Sequence, residues 1–383
     1  MACNHCYHPT WPKIICASFL IAFGLTKLAG RAVLGYLPSG LPLAMTANAS
    51  AQPAGARTVV NLGFLVVSRI TNLEATLVTV RQICSLTSAG LAMHLVTSVN
   101  VDASALRRAV RSSCSSILFQ LSDVRMLSPR QAEQARLLSG AFSKNGYYML
   151  KPMAHVILPE VDRIIIMDSD VVVRDDIVHL WEEFGRFEDN QMLGMALAQD
   201  LVYRGCRLPP HEGTETFQGF NGGLQLLRLD RMRRNPSYNA FITPGLWPGW
   251  FHTNKSLCGG QIDGNWTFCD QDFYNLLSGL HREWYHTVPC NWNIQVCSAW
   301  SFAHDPERYR DWPQVCDARP SLIHLCGDYK KVLLTPEHEL APCEVLRHHW
   351  QYGLAKAPPH RVWLNQVCGE EADKPGADKT KGP

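Results

Sequence analysis

The feature that most constrains the fold is an apolar run interrupted by two carboxylates. Residues 163–181, RIIIMDSDVVVRDDIVHLW, are apolar up to Met167, continue with Asp168, Ser169 and Asp170, and then resume with three valines. A short continuous apolar run is typical of a strand buried on both faces, as at the centre of a parallel sheet. The sequence therefore predicts both aspartates at the carboxyl end of a central strand, where open α/β sheets bind ligands.

The preceding segments favour the same fold class. An apolar strand is predicted over residues 59–67, a helix from there to about Leu86, and a second strand over residues 91–97. Such alternation predicts an α/β fold with helices on the faces of a parallel sheet. The 383 residues suit one large domain with tails, and the net charge of +2 gives no reason to expect a nucleic-acid partner.

Local signals predict three helix starts. The stretch SPRQ, residues 128–131, has Ser for the N-cap, Pro for the first helical position and Gln to close a capping box. A second helix is predicted to begin at Pro152, which would place Lys151 at a helix N-terminus that favours an anion. Either Asp175 or Asp176 is predicted to cap a third helix.

Asp168 and Asp170 are candidate ligands of one divalent cation. If the strand continued through them, residues at i and i+2 would share a face, and a metal would offset the cost of burying two carboxylates. An Asp-x-Asp pair alone could equally cap loops or form surface ion pairs. The later stretch HLCGDYKK adds His324, a good ligand for a manganese-type ion, and Lys330, a charge suited to phosphate.

Two further blocks are ambiguous on their own. In GFNGGLQLL, Asn221 and the small Gly222 precede an apolar strand, where the backbone can approach a ligand or simply turn. In CDQDFYNLL, Asp270 starts an amphipathic segment and is either functional or a helix N-cap.

Taken together, the blocks resemble one enzyme family. From about Val59 to Val332 the chain resembles the family 8 retaining glycosyltransferases, which have the GT-A fold: a Rossmann-like α/β fold with a mixed, mostly parallel sheet flanked by helices. The stretches LPEVDRIIIMDSD and PCNWNIQVC look most like the eukaryotic glucoside and xyloside xylosyltransferases, which are lumenal and use UDP-xylose. The matching blocks are Asp168-Ser169-Asp170, Phe220-Asn221-Gly222-Gly223, Asp270-Gln271-Asp272 and His324-x-x-Gly327-x-x-Lys330.

The resemblance implies a role for each matching residue. Mn²⁺ would be held by Asp168, Asp170 and His324 and would bridge the diphosphate of the UDP-sugar. Gln271 and Asp270 would lie at the reacting carbon of the sugar. The other implied donor contacts are Gly327 and Lys330 at the phosphates, Lys151, Asn221, Gly222 and Asp270 at the sugar, and Val67 and Ser68 near the uridine. Ser169 is a further implied donor contact.

The implied chemistry agrees with these residue types. A divalent cation and Lys330 can stabilise the charge of the departing UDP without a proton transfer. Gln271, an amide, is a poor nucleophile where a double-displacement mechanism needs a carboxylate. We therefore expect a front-face substitution, in which a phosphate oxygen of the leaving group helps to deprotonate the acceptor hydroxyl of a glycan or glycoprotein.

Other functions stay open. UDP-glucose or UDP-galactose transfer would use the same motifs. A pseudoenzyme that binds a sugar or nucleotide would be expected to have lost metal ligands, and all three are present. A nucleotidyltransferase could use Asp-x-Asp but has no need of the block from His324 to Lys330.

The amino-terminal segment predicts targeting. The first acidic residue is Glu74, and an apolar run spans residues 14–26 between Lys13 and Lys27. A signal anchor, a cleaved signal and an organellar transit peptide all fit. The predicted organisation is a tail with anchor or signal over 1–37, a stem over 38–57, a GT-A catalytic domain over 58–345 and an extension over 346–383 with a disordered end.

Cysteine content and glycosylation sequons favour an oxidising lumen. The chain has 14 Cys, and sequons begin at Asn48, Asn254 and Asn265. The expected location is the Golgi or endoplasmic reticulum, as a single-pass type II membrane protein or, after cleavage, a secreted one.

A Trp-rich connection over residues 237–269 is either an acceptor-side flap or a packed surface loop. A disulfide between Cys258 and Cys269 would staple it; Cys290, Cys297 and Cys316 are alternative partners.

Overall fold

Strands and helices alternate along the first half of the described chain. The computed structural model describes residues 58–66, 70–97, 102–114, 119–139, 147–199, 206, 208, 210, 217–243, 270–295, 316 and 318–325. The first elements are β1 (Val59–Val66), α1 (Ile70–Leu86), β2 (Gly90–Thr97), α2 (Ala103–Ser113), β3 (Phe119–Met126) and α3 (Pro129–Ser139).

Shorter elements follow. They are α4 (Ala154–Ile157), β4 (Arg163–Met167), β5 (Val171–Val173), α5 (Ile177–Glu182), β6 (Leu193–Met195), β7 (Leu224–Arg228), α6 (Leu229–Arg234), α7 (Pro236–Phe241), α8 (Asp270–Leu280), β8 (Tyr285–Thr287), β9 (Ile294–Gln295) and β10 (Leu322–His324). Short 3₁₀ helices occupy Tyr147–Leu150, Glu183–Arg186, Arg282–Trp284 and Cys290–Trp292.

Seven strands form the central sheet in the order β3-β2-β1-β4-β7-β6-β8. β1 pairs in parallel with β2 and β4, β2 with β3, and β6 with β8, whereas β7 is antiparallel to both β4 and β6. The sheet is therefore mixed and mostly parallel, which confirms the predicted α/β class.

β4 is buried on both faces, as the apolar run predicted. Ile164 and Ile166 pack into one apolar core, and Ile165 and Met167 pack into the other. Fully burying an aliphatic side chain of this size stabilises the fold by about 1.5–3 kcal/mol. β4 thus joins the two cores, and its carboxyl end is fixed rigidly beside the start of β7.

A second, three-stranded sheet in the order β5-β10-β9 lies next to this point. β5 begins directly after Asp170, and β10 pairs with it antiparallel so that His324 lies opposite Val171. This pairing brings a residue from far along the chain beside the aspartates.

Two of the three predicted helix starts are confirmed. Ser128 Oγ accepts from Gln131 N at 3.2 Å, and Gln131 Oε1 accepts from Ser128 N at 3.0 Å, which completes the capping box. Asp176 caps α5 by accepting from Val178 N at 3.0 Å.

The helix predicted to begin at Pro152 is wrong. The chain turns at residues 151–153, and only the four residues of α4 follow as α-helix. The Pro152 carbonyl, which an α-helix would bond to Val156 N, instead accepts from Tyr238 Oη at 2.9 Å, while Val156 N donates to Met153 O. The Pro152 carbonyl thus takes part in a tertiary contact, and Lys151 stands three residues before the first residue of α4.

Two disulfides lie within the described residues, Cys84–Cys114 and Cys290–Cys316. Cys290 and Cys316 pair with each other and are not partners of the Trp-rich connection. Cys258, Cys269 and Cys297 lie outside the described residues, as do the sequons and the targeting segment. Within the described part of the chain, no helix combines the length and apolarity needed to cross a bilayer.

Candidate metal centre

Asp168 and Asp170 lie in the connection between β4 and β5. β4 ends at Met167, so the expectation that a continuing strand puts both carboxylates on one face is wrong. The backbone holds them instead: Asp168 N donates to Gly223 O, and Leu325 N donates to Asp170 O, each at 2.8 Å. The turn lies at the carboxyl end of the central strand, as predicted.

The imidazole of His324 reaches the same point from β10. Its Nε2 lies 3.8 Å from Asp168 Oδ2 and 3.5 Å from Asp170 Oδ1. One candidate ligand atom from each of these residues lies within 4.8 Å of the others. Gly223 makes this approach possible, because a Cβ there would lie 2.1 Å from His324 Cε1.

The donor set fits a divalent cation. Two carboxylates and one imidazole suit manganese, and also magnesium or zinc with other ligands completing the shell. Asp170 and His324 are nearly buried, and a cation here would balance carboxylates that water solvates poorly. The structure thus brings together the three predicted ligands in an arrangement that could hold a metal.

Lys151 supplies positive charge beside this cluster. Its Nζ lies 2.8 Å from Asp168 Oδ1 and 3.0 Å from Asp270 Oδ2, and it donates to Gly222 O at 2.8 Å. Burial alone would lower the pKa of Lys151, but the two carboxylates raise it above its ordinary value. Because an ammonium has three N–H groups, these three acceptors occupy all of them.

Asp270 is the first residue of α8, and its carboxylate pairs with Lys151. Burial raises the pKa of Asp270 above its ordinary value, while the charge of Lys151 opposes that rise. Gly222 packs close by, since a Cβ there would lie 3.3 Å from Asp270 Oδ2. Lys151, Asp270 and Gly222 thus form one buried cluster next to Asp168.

α8 also holds the loop that carries Asn221 and Gly222. Gln271 Oε1 accepts from Gly222 N at 3.0 Å. One turn later, the carboxamide of Asn275 accepts from Phe220 N and donates to Phe220 O. The side-chain carbonyl of Gln271 is therefore directed at protein backbone.

Of the remaining predicted site residues, two lie beside the candidate metal ligands and four lie outside the described residues. Ser169 lies in the turn between the aspartates, and Asn221 Oδ1 lies 3.2 Å from His324 Nδ1. Val67, Ser68, Gly327 and Lys330 lie outside the described residues.

Sequence reasoning missed three polar residues of this region. They are Gln225, whose Nε2 donates to Gly222 O at 3.0 Å, Asn275, and Asn293, whose Nδ2 donates to Asn221 Oδ1 at 2.9 Å. A signal existed for Asn275, which lies four residues after Gln271 on the same helix face. Asn293 stands in the stretch PCNWNIQVC, which carried a resemblance but no assigned role.

Solved structures identify the fold. The chain resembles apo mouse xyloside xylosyltransferase 1 with a TM-score of 0.56 and 21% identity, over 71% of this chain and 98% of that one. It resembles galactosyltransferase LgtC, in a complex with donor and acceptor sugar analogues, with a TM-score of 0.52 and 16% identity, over 80% of this chain and 100% of that one. The class is therefore the GT-A glycosyltransferase fold.

The family follows from the sequence. A profile of Glycosyl transferase family 8 matches residues 21–331. The chain belongs to this family, as the motif blocks predicted.

Curated relatives are similar over part of their length. Xyloside xylosyltransferase 1 of Mus musculus is 32% identical over 178 residues, which are 42% of this chain and 42% of the relative. Xylosyl- and glucuronyltransferase LARGE2 of Rattus norvegicus is 30% identical over 43% of this chain and 23% of the relative. Glucoside xylosyltransferase 2 of Xenopus laevis is 29% identical over 37% of this chain and 33% of the relative. This chain therefore spans less than half of the length of each.

Proposed function

We propose that this chain is a Mn²⁺-dependent, retaining glycosyltransferase that moves a sugar from a UDP-sugar to a glycan or glycoprotein. The observation that carries the proposal is the convergence of Asp168, Asp170 and His324 at the carboxyl edge of the sheet. Family membership supports sugar transfer, and the ligand set supports metal binding at a diphosphate.

Xylose is the proposed sugar. All three curated relatives above have xylosyltransferase in their names, and one of them also has glucuronyltransferase. UDP-glucose and UDP-galactose are the alternative donors, because the motif blocks suit them equally.

The proposed metal ligands are Asp168, Asp170 and His324. Bound there, Mn²⁺ would supply positive charge to the diphosphate as UDP leaves. Gly327 and Lys330 are proposed phosphate contacts, and Val67 and Ser68 are proposed to approach the uridine. Ser169, Asn221, Gly222 and Asp270 are proposed to line the sugar.

The contacts of Lys151 favour an indirect role in sugar binding. With its three N–H groups already bound to Asp168, Asp270 and Gly222, it would orient these groups around the donor rather than bond to the sugar. Its charge also lowers the nucleophilicity of the Asp270 carboxylate.

Gln271 is proposed to position the sugar rather than attack it. Its Oε1 accepts from Gly222 N, and an amide is a poor nucleophile. With Asp270 paired to Lys151, neither candidate offers an uncompensated carboxylate for a covalent intermediate. These contacts support a front-face substitution, in which a phosphate oxygen of UDP takes the proton of the acceptor hydroxyl.

We also propose the domain organisation and the compartment predicted above. Residues 1–37 would anchor the chain or direct its secretion, 38–57 would form a stem, 58–345 the catalytic domain and 346–383 an extension. The Golgi or endoplasmic reticulum lumen is the proposed site of action, and the disulfides Cys84–Cys114 and Cys290–Cys316 favour such an oxidising compartment.

The test is a panel of UDP-sugars with and without Mn²⁺. We expect UDP release to be fastest from UDP-xylose, to stop with EDTA and to return with Mn²⁺; Asp170→Ala and His324→Ala should abolish it while leaving the circular dichroism spectrum unchanged. Metal-dependent UDP binding without turnover of any donor or acceptor would favour a pseudoenzyme. Full turnover in both variants would refute the metal assignment.

A further inference from the structure

Asn221 Oδ1 lies at the centre of a buried hydrogen-bond network behind the candidate metal ligands. It accepts from Gly223 N at 2.9 Å and from Asn293 Nδ2 at 2.9 Å, and His324 Nδ1 lies 3.2 Å away. Asn221, Asn293 and His324 are each at most 5% exposed. A carboxamide atom that meets two N–H donors must be the oxygen.

This network favours one tautomer of the His324 imidazole. Because Asn221 Oδ1 can only accept, a hydrogen bond between it and His324 requires the proton on Nδ1, which would share the oxygen with the other two donors. The lone pair of the neutral ring is then on Nε2, the nitrogen that faces Asp168 and Asp170. The ring is also held in the plane that Gly223 leaves open.

Asn293 is positioned for this task by the second sheet and a disulfide. Its backbone N–H donates to Cys290 O at 3.0 Å, and Cys290 is bridged to Cys316. The next residues form β9, which pairs in parallel with β10 and places Gln295 beside His324. The asparagine and the histidine are thus tied to one small sheet.

Asn293 is a poor choice of residue for the stability of the fold alone. Its side chain is fully buried, and its Oδ1 has no hydrogen-bond partner among the described residues. A buried carbonyl without a hydrogen-bond partner lowers the free energy of unfolding, and an apolar residue of similar shape would remove that loss of stability. The Nδ2 bond to Asn221 is the contact that such a replacement would lose.

We propose that Asn293 is a positioning residue for the metal-binding histidine, acting through Asn221. Asn293 holds Asn221 Oδ1 toward His324 Nδ1, so that Nε2 is directed at the cation site. The inference rests on the proposed metal site at Asp168, Asp170 and His324. In metal sites, losing an outer hydrogen-bond partner of a ligand typically weakens metal affinity 10–100-fold.

The test is the substitution Asn293→Leu, measured by Mn²⁺ titration in the presence of UDP, with unbound Mn²⁺ followed by electron paramagnetic resonance. We expect the Kd for Mn²⁺ to rise about 10-fold, the lower end of that range, because Asn293 acts on His324 through Asn221. We expect Tm to stay the same or to rise, because the substitution removes an unsatisfied buried oxygen. A purely structural role would instead lower Tm and leave the Kd unchanged.

Asn291→Leu is the matched control. Asn291 lies in the 3₁₀ helix Cys290–Trp292, directly before Asn293, and donates to Ser321 Oγ at 3.0 Å, not to Asn221. Its Mn²⁺ affinity should equal that of the wild type. If Asn293→Leu fails to fold, Asn293→Ala serves in its place, because it also removes Nδ2 and leaves more room.

A conservative variant tests the chemistry of the network. Asn221→Asp keeps an oxygen that accepts from His324 Nδ1, so it should weaken Mn²⁺ binding less than Asn221→Leu, which should lose at least as much affinity as Asn293→Leu. Equal losses in the two Asn221 variants would contradict the network.

His324→Ala separates the two proposals. If His324→Ala abolishes Mn²⁺ binding while both Asn293 variants bind within threefold of the wild type, the positioning role is wrong and the metal site stands. If His324→Ala binds Mn²⁺ like the wild type, the proposed metal site itself is wrong, and the positioning role falls with it.

Discussion

At the scale of single residues, Gly223 shows how a missing side chain shapes the candidate metal centre. The imidazole of His324 occupies the space that a Cβ would fill, with contacts of 2.1 Å to Cε1 and 2.4 Å to Nδ1. The His324 ring cannot easily move away, because it is buried and its Nδ1 lies 3.2 Å from Asn221 Oδ1. A glycine at this position is therefore a requirement of the site and not only of the turn.

The substitution Gly223→Ala should displace the ring. We expect Mn²⁺-dependent UDP binding to weaken at least 10-fold. An overpacked core costs about 1–3 kcal/mol, and here the added Cβ would displace the candidate metal ligand His324. Isothermal titration with UDP and Mn²⁺ measures this change. Gly185→Ala is the control, since a Cβ at Gly185 meets no atom within 4 Å among the described residues; equal affinities for both variants would contradict the argument.

At the scale of elements, α4 and α7 meet through a buried histidine. His155 Nε2 lies 3.1 Å from Asn239 Oδ1, and its ring packs edge-on against Tyr238. Tyr238 in turn donates to Pro152 O, just before α4. Burial lowers the pKa of His155 from 6.5 to about 4, although the hydrogen bond to Asn239 opposes the shift.

This pKa predicts an acid-sensitive contact between the helices. Because the folded pKa lies below the unfolded one, the unfolded chain binds more protons between about pH 6.5 and pH 4. The stability from neutral His155 is therefore complete above pH 6.5 and is lost as pH falls toward 4, on the order of 3 kcal/mol. Urea unfolding of His155→Gln across this range should show a flatter pH dependence than the wild type.

His179→Gln is the matched control for that experiment. The His179 side chain is 58% exposed and pairs with Asp175 on the surface; because an exposed ion pair contributes at most about 1 kcal/mol, this variant should change the slope less than His155→Gln does. A wild-type slope in His155→Gln would contradict the assignment.

At the scale of the whole molecule, the bridge Cys290–Cys316 closes a long connection onto the second sheet. The two residues are 26 positions apart, and the segments next to them supply Asn293 and β10. A cross-link over a loop of this length reduces the entropy of the unfolded chain by an amount worth about 3 kcal/mol.

The double substitution Cys290→Ser with Cys316→Ser should therefore lower the unfolding free energy by about 3 kcal/mol. Thermal unfolding under non-reducing conditions measures the change. Treating the wild type with a reductant should lower Tm at least as far, because it also opens Cys84–Cys114. A variant as stable as the wild type would show that the bridge contributes little to folding.

Local signals in the sequence predicted the parts of the fold that depend on neighbouring residues. The capping box at Ser128 and Gln131, the N-cap at Asp176 and the double-sided burial of β4 involve residues a few positions apart. The position of Asp168 and Asp170 at a sheet edge also followed, because a strand that is apolar throughout belongs in the middle of a sheet.

Contacts between distant segments could not be read in this way. A local rule placed Lys151 at a helix N-terminus, but its ammonium group pairs with Asp168 in the connection after β4 and with Asp270 in α8. Nothing near Asn293 indicated that it would bond to Asn221.

By itself, the sequence predicted β1, β2 and β4, the caps at Ser128 and Asp176 and the residue types of the candidate metal centre, because hydrogen bonds and periodicity within a few residues control the strands and caps. Only the tertiary structure decided where Pro152 O finds its donor, which acceptors surround Lys151 and how Asn221 orients His324. These contacts depend on strand pairings between segments some 60 to 150 residues apart, and local propensity carries no information about such pairings.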